Sequence, residues 1–94
     1  MPHVLIRHKV ENYTNWKSAF DAHKAMRKAG GEKTYQIFHA ADDPNNLVLL
    51  FEWDNLDNAR RFLESQELRQ AMKKAGVSDQ PDVHFLKEGQ RGSV

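Results

Sequence analysis

Cysteine is absent from the 94 residues, which removes disulfides, thiolate metal ligands and thiol nucleophiles together. The absence fits a reducing cytoplasm, the compartment expected for this chain. No apolar run is long enough to span a bilayer. The start, MPHVLIRHKV, has neither a basic segment ahead of its apolar residues nor a small-residue cleavage site, so it does not read as a signal peptide. An excess of one charge is missing too. Fourteen Lys plus Arg against thirteen Asp plus Glu leave a net charge of +1, which gives no electrostatic footprint for nucleic acid or an anionic membrane. Gly30-Gly31 is a helix stop and not a phosphate-binding GxGxxG, and no serine stands in an elbow motif. Five histidines are many, yet His3, His8, His39 and His84 scatter over strand patterns on both faces with no His-x-His and no HExxH. No metal and no cofactor is expected.

What is present is a short chain with 39% hydrophobic and 29% charged residues, enough for one small domain near the lower limit for a self-sufficient core. Its pivot is LVLLFEW, Leu47 to Trp53, apolar on both parities: Leu47, Leu49, Phe51 and Trp53 on one, Val48 and Leu50 on the other. Such a run belongs to a central strand covered on both faces. Upstream, His3 to Val10 alternates, with Val4, Ile6, His8 and Val10 on one side. Asn12 is placed to cap a helix over Tyr13 to Ala29, whose stripe carries Trp16, Ala19, Phe20, His23, Met26 and Arg27. Thr34 to His39 forms a second strand and Asp42 to Asn46 a turn, which makes strands two and three a hairpin. Asp54-Asn55 caps a second helix. That helix should bend near Ser65, which separates the stripe Leu56, Ala59, Phe62, Leu63 from the stripe Leu68, Ala71, Met72, Ala75. Pro81 leads into a fourth strand, Asp82 to Lys87. A single domain over residues 1–88 and a flexible tail over 89–94 are the expected organisation.

The order β-α-β-β-α-β predicts an α+β, ferredoxin-like fold on a four-stranded antiparallel sheet. Two helices cover one face of such a sheet. The apolar side chains of the other face are expected to be covered by a second copy, as a homodimer with facing sheets.

VLIRHKVENYTNWKSAF, LVLLFEWDNLDNARRFLES and DVHFLKE together resemble the dimeric α/β-barrel superfamily, within it the small proteins called antibiotic-biosynthesis-monooxygenase-like, stress-responsive-barrel or cyclase-like. The resemblance runs from about residue 3 to residue 88, and its most specific piece is Glu52-Trp53 followed by a polar cap and an Ala-Arg-Phe helix. It implies the fold and the dimer, and it implies a choice of chemistries, since one fold hosts many. The haem-degrading members use a strand-one Asn and a helix-two His. This chain has Arg7 and His8 in strand one and no histidine in helix two, which argues against haem. Of the Asn-Trp-Arg set of the cofactor-free oxygenases, only Trp53 has a clear counterpart.

Candidate catalytic residues are His23 and His8, imidazoles that titrate near neutral pH and can exchange protons with a ligand between helix and sheet. Trp53, Phe20, Trp16 and Arg27 are the candidate substrate-binding residues. Each also has a plain structural use: a histidine satisfied by a backbone carbonyl, an aromatic in core or dimer packing. Arg7 and Glu52, on neighbouring strands, are expected to form a cross-strand ion pair. Two functional readings follow. One is a cofactor-free monooxygenase-like or cyclase-like enzyme with an apolar pocket for a small aromatic or polyketide-like ligand. The other is a non-enzymatic dimeric binding or stress-responsive module.

Overall fold

Alternation of apolar and polar side chains gives four strands, and the register between them decides which side chains share a face. A computed structural model describes the whole chain, Met1–Val94. Its elements are β1 (His3–Lys9), α1 (Tyr13–Ala22), α2 (Lys24–Gly30), β2 (Glu32–Ala40), β3 (Asp43–Trp53), α3 (Leu56–Leu63), α4 (Gln66–Lys74) and β4 (Asp82–Leu86). The sheet is antiparallel in the order β2-β3-β1-β4, so β3 and β1 are central. Pairing of Val4 with Phe51, Ile6 with Leu49 and His8 with Leu47 puts these side chains on one face, and all six are buried. That face meets the helices. Val4, Leu47 and Trp53 are its most completely enclosed side chains, each stabilising the fold by about 1.5–3 kcal/mol or more through burial.

The opposite face carries no helix. Leu5 pairs with Leu50, Arg7 with Val48 and Phe38 with Val48, so Leu5, Phe38, Val48 and Leu50 lie together there, and Leu86 joins them beside His3. Phe38 is 49% exposed and Leu86 37%. The expected Arg7–Glu52 pair does not form, because the register sets Arg7 opposite Val48 and Glu52 opposite His3, with the Leu5–Leu50 pair between them. Arg7 instead binds Asp82 (2.8 Å) and Asp79 (3.1 Å), while Glu52 lies 3.8 Å from His3.

The first helix departs from expectation. The apolar stripe predicts one helix from Tyr13 to Ala29, but the chain breaks at His23 into α1 and α2. One carbonyl leaves the regular pattern there. The Phe20 carbonyl, which a regular helix would give to the Lys24 amide, accepts instead from the His23 amide at 3.2 Å and from an Arg27 guanidinium nitrogen, while the His23 Nδ1–H joins its own amide on the Ala19 carbonyl at 2.7 Å. The second helix breaks where the sequence places the break. Ser65 accepts from the Leu68 amide at 3.2 Å as the cap of α4 and donates to the Phe62 carbonyl at 2.6 Å. Asn12 and Asn55 cap α1 and α3 as read. The hairpin is tighter than its turn residues suggest, since β3 begins at Asp43 and takes in Pro44 after a bulge near His39 and Ala40.

Gly31 closes α2 at φ +121°, and its carbonyl accepts from the Asp54 amide at 3.0 Å. An added Cβ there would lie 2.8 Å from Asp54 Cγ. Gly31→Ala therefore combines a left-handed backbone with a clash and should cost about 1–3 kcal/mol. Urea unfolding of the variant checks this, and Ser65→Ala should lose about 1 kcal/mol by the same measurement through the missing cap.

Candidate functional site

The helical layer does not close fully on the sheet. A cavity of about 80 Å³ remains between them, lined by 18 residues of which 14 are hydrophobic. β1 contributes Ile6 and His8, β3 contributes Leu49, Phe51 and Trp53, and α1 and α2 contribute Trp16, Phe20, Met26 and Arg27. α4 supplies Leu68, Ala71 and Met72 to the wall, although none of its own residues is buried. The aromatic rings hold one another in place: Trp16 stacks on Phe20 at 4.8 Å, Phe20 lies 6.3 Å from Phe51, and Trp53 lies 5.3 Å from Phe62. All six residues singled out from the sequence, His8, Trp16, Phe20, His23, Arg27 and Trp53, border this cavity.

His8 is its most unusual wall residue. The imidazole is 3% exposed, and neither Nδ1 nor Nε2 has a hydrogen-bond partner. Its nearest ring neighbour is Trp16, edge-on at 5.8 Å. Burial among apolar groups penalises the imidazolium and pulls the His8 pKa down from 6.5 to about 4, against a smaller upward pull from Asp79 and together with the repulsion of Arg7. His8 is thus neutral at physiological pH and has one donor and one acceptor to offer. His23 differs. It is half-buried at the break between α1 and α2, and donation from Nδ1 to the Ala19 carbonyl leaves Nε2 as its remaining nitrogen.

Arg27 is 5% exposed, and it has a carboxylate partner that the sequence reading did not name. Glu32, the first residue of β2, accepts from Arg27 Nε at 3.1 Å, and the guanidinium carbon sits 3.6 Å above the Phe20 ring. Burial raises the Glu32 pKa, with the Arg27 hydrogen bond and charge opposing. One signal for Glu32 was available: an arginine on an apolar stripe needs a buried counter-charge. Which carboxylate answers depends on how Gly31 turns α2 back onto the sheet, and spacing alone does not give that. No three His, Asp or Glu side chains converge as a metal site would require.

Among solved structures, 71 chains match this one. A Bordetella bronchiseptica protein provisionally described as an antibiotic biosynthesis monooxygenase superposes with a TM-score of 0.78 at 15% identity, over 95% of this chain and 97% of that one. SnoaB, a cofactor-independent oxygenase from Streptomyces nogalater, gives 0.77 at 17% identity over 96% and 94%. The chain has the antibiotic-biosynthesis-monooxygenase-like fold. A Deinococcus radiodurans structure of the same provisional description covers 100% of the chain at a TM-score of 0.68 and 17% identity. Identities this low establish the α+β, ferredoxin-like fold and leave activity open. No family model and no curated protein matches the sequence, and no helix is long and apolar enough to cross a membrane.

The state of His8 has a measurable consequence. Folding lowers its pKa, so between pH 6.5 and about 4 the unfolded chain binds the proton more readily. Stability is full above that window and falls as the pH drops through it. Glu32, with a raised pKa, has the opposite slope. Comparison with His8→Leu at each pH isolates the histidine: wild type should lose about 2 kcal/mol more than the variant between pH 7 and pH 4.5 in urea unfolding.

Proposed function

We propose that the protein is a cytoplasmic homodimer that binds a small aromatic ligand in the cavity between helices and sheet and acts on it without a cofactor, in the manner of monooxygenase-like or cyclase-like enzymes. The observation that carries the reading is His8. A buried polar side chain with both nitrogens unpaired costs stability, and its place in an otherwise apolar wall gives it the use of orienting a ligand. The name of SnoaB, a cofactor-independent oxygenase of the same fold, supports the reaction class. The size of the cavity favours a single ring over a polyketide-like ligand. At about 80 Å³ it is smaller than the roughly 150 Å³ apolar cavity known to hold benzene, so binding requires the wall to move outward. α4, with no buried residue and a hinge at Ser65, is the wall that yields most easily, and Met26 and Met72 can reshape around a ring.

Within this reading His8, held neutral by burial, is a better hydrogen-bonding group than a base, because a pKa near 4 lies far from neutral pH. His23 is assigned the proton transfer. Its Nδ1–H is anchored on Ala19, which fixes the tautomer and presents Nε2 as the acceptor. Trp16, Phe20 and Trp53 supply the flat walls. The dimer rests on a separate observation: Leu5, Phe38, Val48, Leu50 and Leu86 share the helix-free face, and a second copy covers them at a gain of about 25 cal/mol per Å².

Toluene tests the pocket. In a two-dimensional NMR titration it should shift the indole N–H signals of Trp16 and Trp53, and it should raise the melting temperature. Ala71→Phe, which fills the cavity from α4, should abolish both effects. In a turnover assay that wild type passes, His23→Gln should slow the reaction by about 10²-fold or more; an unchanged rate leaves His23 structural. Light scattering should give a mass of about 22 kDa, twice the 10.9 kDa of one chain, and Leu50→Lys should halve it. A wild type at 10.9 kDa refutes the dimer.

A further inference from the structure

The Arg27–Glu32 pair is incomplete on the side where it should be most regular. The side of a guanidinium that carries Nε and Nη2 matches the two oxygens of a carboxylate, and buried pairs use both contacts. Here Nε reaches Glu32 Oε2 at 3.1 Å, while Arg27 Nη2 and Glu32 Oε1 are both buried and both without a partner. Both residues border the cavity, with side chains only 6% and 7% exposed. The third nitrogen, Nη1, is fixed on the Phe20 carbonyl, and the guanidinium lies on the Phe20 ring, so the group cannot turn to close the gap without giving up those contacts. The Nη2 donors and the Oε1 acceptor both stand open, on two residues that border the same apolar cavity. Leaving both unmet costs far more than an ordinary pair returns.

A group that fits must accept from Nη2 and donate to Oε1 at once. A hydroxyl does both through one oxygen. A carboxylate accepts only, and would add a second negative charge beside Glu32. An ether accepts and cannot donate. The pair is neutral as a whole when Glu32 is ionised, so a neutral hydroxyl leaves the buried charge balance unchanged. We propose that Arg27 and Glu32 form a hydroxyl-binding subsite, so that the ligand is a ring bearing a hydroxyl rather than a plain arene. The proposal rests on the aromatic-pocket reading and makes Glu32 a specificity-determining residue. His8 is the second polar group in the same wall.

The test compares phenol, anisole and toluene, with the indole N–H signals of Trp16 and Trp53 reporting occupancy. An apolar pocket without the subsite prefers toluene, because a phenol must shed water. With the subsite the order inverts, phenol binding about tenfold or more tighter than toluene and anisole. The double variant Arg27→Met with Glu32→Leu keeps side-chain volume and removes both charges together, a replacement that buried ion pairs tolerate well. It should retain toluene and lose the preference for phenol. Phenol no tighter than toluene in the wild type overturns the proposal, as does a phenol preference that survives in the double variant. Should that variant fail to fold, anisole decides in wild type alone: binding as tight as phenol shows that no proton is donated to Glu32. Toluene bound without a phenol preference overturns the subsite and keeps the pocket. Binding of none of the three overturns both.

Discussion

A single buried cation shapes the helical layer. Arg27 lies on the apolar stripe in α2, where a buried guanidinium needs a counter-charge and hydrogen-bond acceptors. Its contacts with the Phe20 carbonyl, the Phe20 ring and Glu32 tie α1, α2 and the start of β2 together. The Phe20 carbonyl is thereby taken from the Lys24 amide that a regular helix would give it, and the His23 imidazole adds a second donor to the Ala19 carbonyl. The helix breaks there, and α2 runs on to Gly31, whose positive φ returns the chain to the sheet. The cavity lies beside this junction, bordered by Phe20, His23, Arg27 and Glu32.

The site unites two kinds of unmet polar group in an apolar wall. His8 is placed by β1 register, its parity fixed by Val4 and Ile6, and is held neutral by burial. Arg27 in α2 and Glu32 at the start of β2 flank the Gly31 turn and leave Nη2 and Oε1 without partners. A protein selected for stability alone could exchange such groups for aliphatic residues at little cost or at a gain. Their presence beside stacked aromatics is what turns the fold shared with the monooxygenase-like structures into a reading of ligand chemistry.

Much of this was legible in the sequence. Strand parity put Val4, Ile6 and His8 on one face and Leu47, Leu49, Phe51 and Trp53 on another, and pairing of β1 with β3 makes them the same face. The helical stripe aimed Trp16, Phe20, His23 and Arg27 at that face, which is why all six candidates meet around one cavity. Ser65 was legible because a serine cap is a local device, complete within four residues. The break at His23 was not, since it depends on a distant Arg27 donor reaching the Phe20 carbonyl that the helical pattern assigns to the Lys24 amide. Glu32 was missed for a related reason: its pairing with Arg27 depends on a turn whose direction the spacing does not report. The Arg7–Glu52 expectation failed because the register sets Arg7 opposite Val48 and Glu52 opposite His3, which residue types alone do not determine.

The most direct measurement is a crystal structure of the protein soaked with a single-ring aromatic. The ring should lie against Trp16 and Phe20, with a polar substituent within hydrogen-bonding distance of His8 or of the open Arg27–Glu32 edge, and with α4 displaced outward to admit it. A cavity that stays closed, with the ring elsewhere and the His8 nitrogens satisfied by protein groups, contradicts the account.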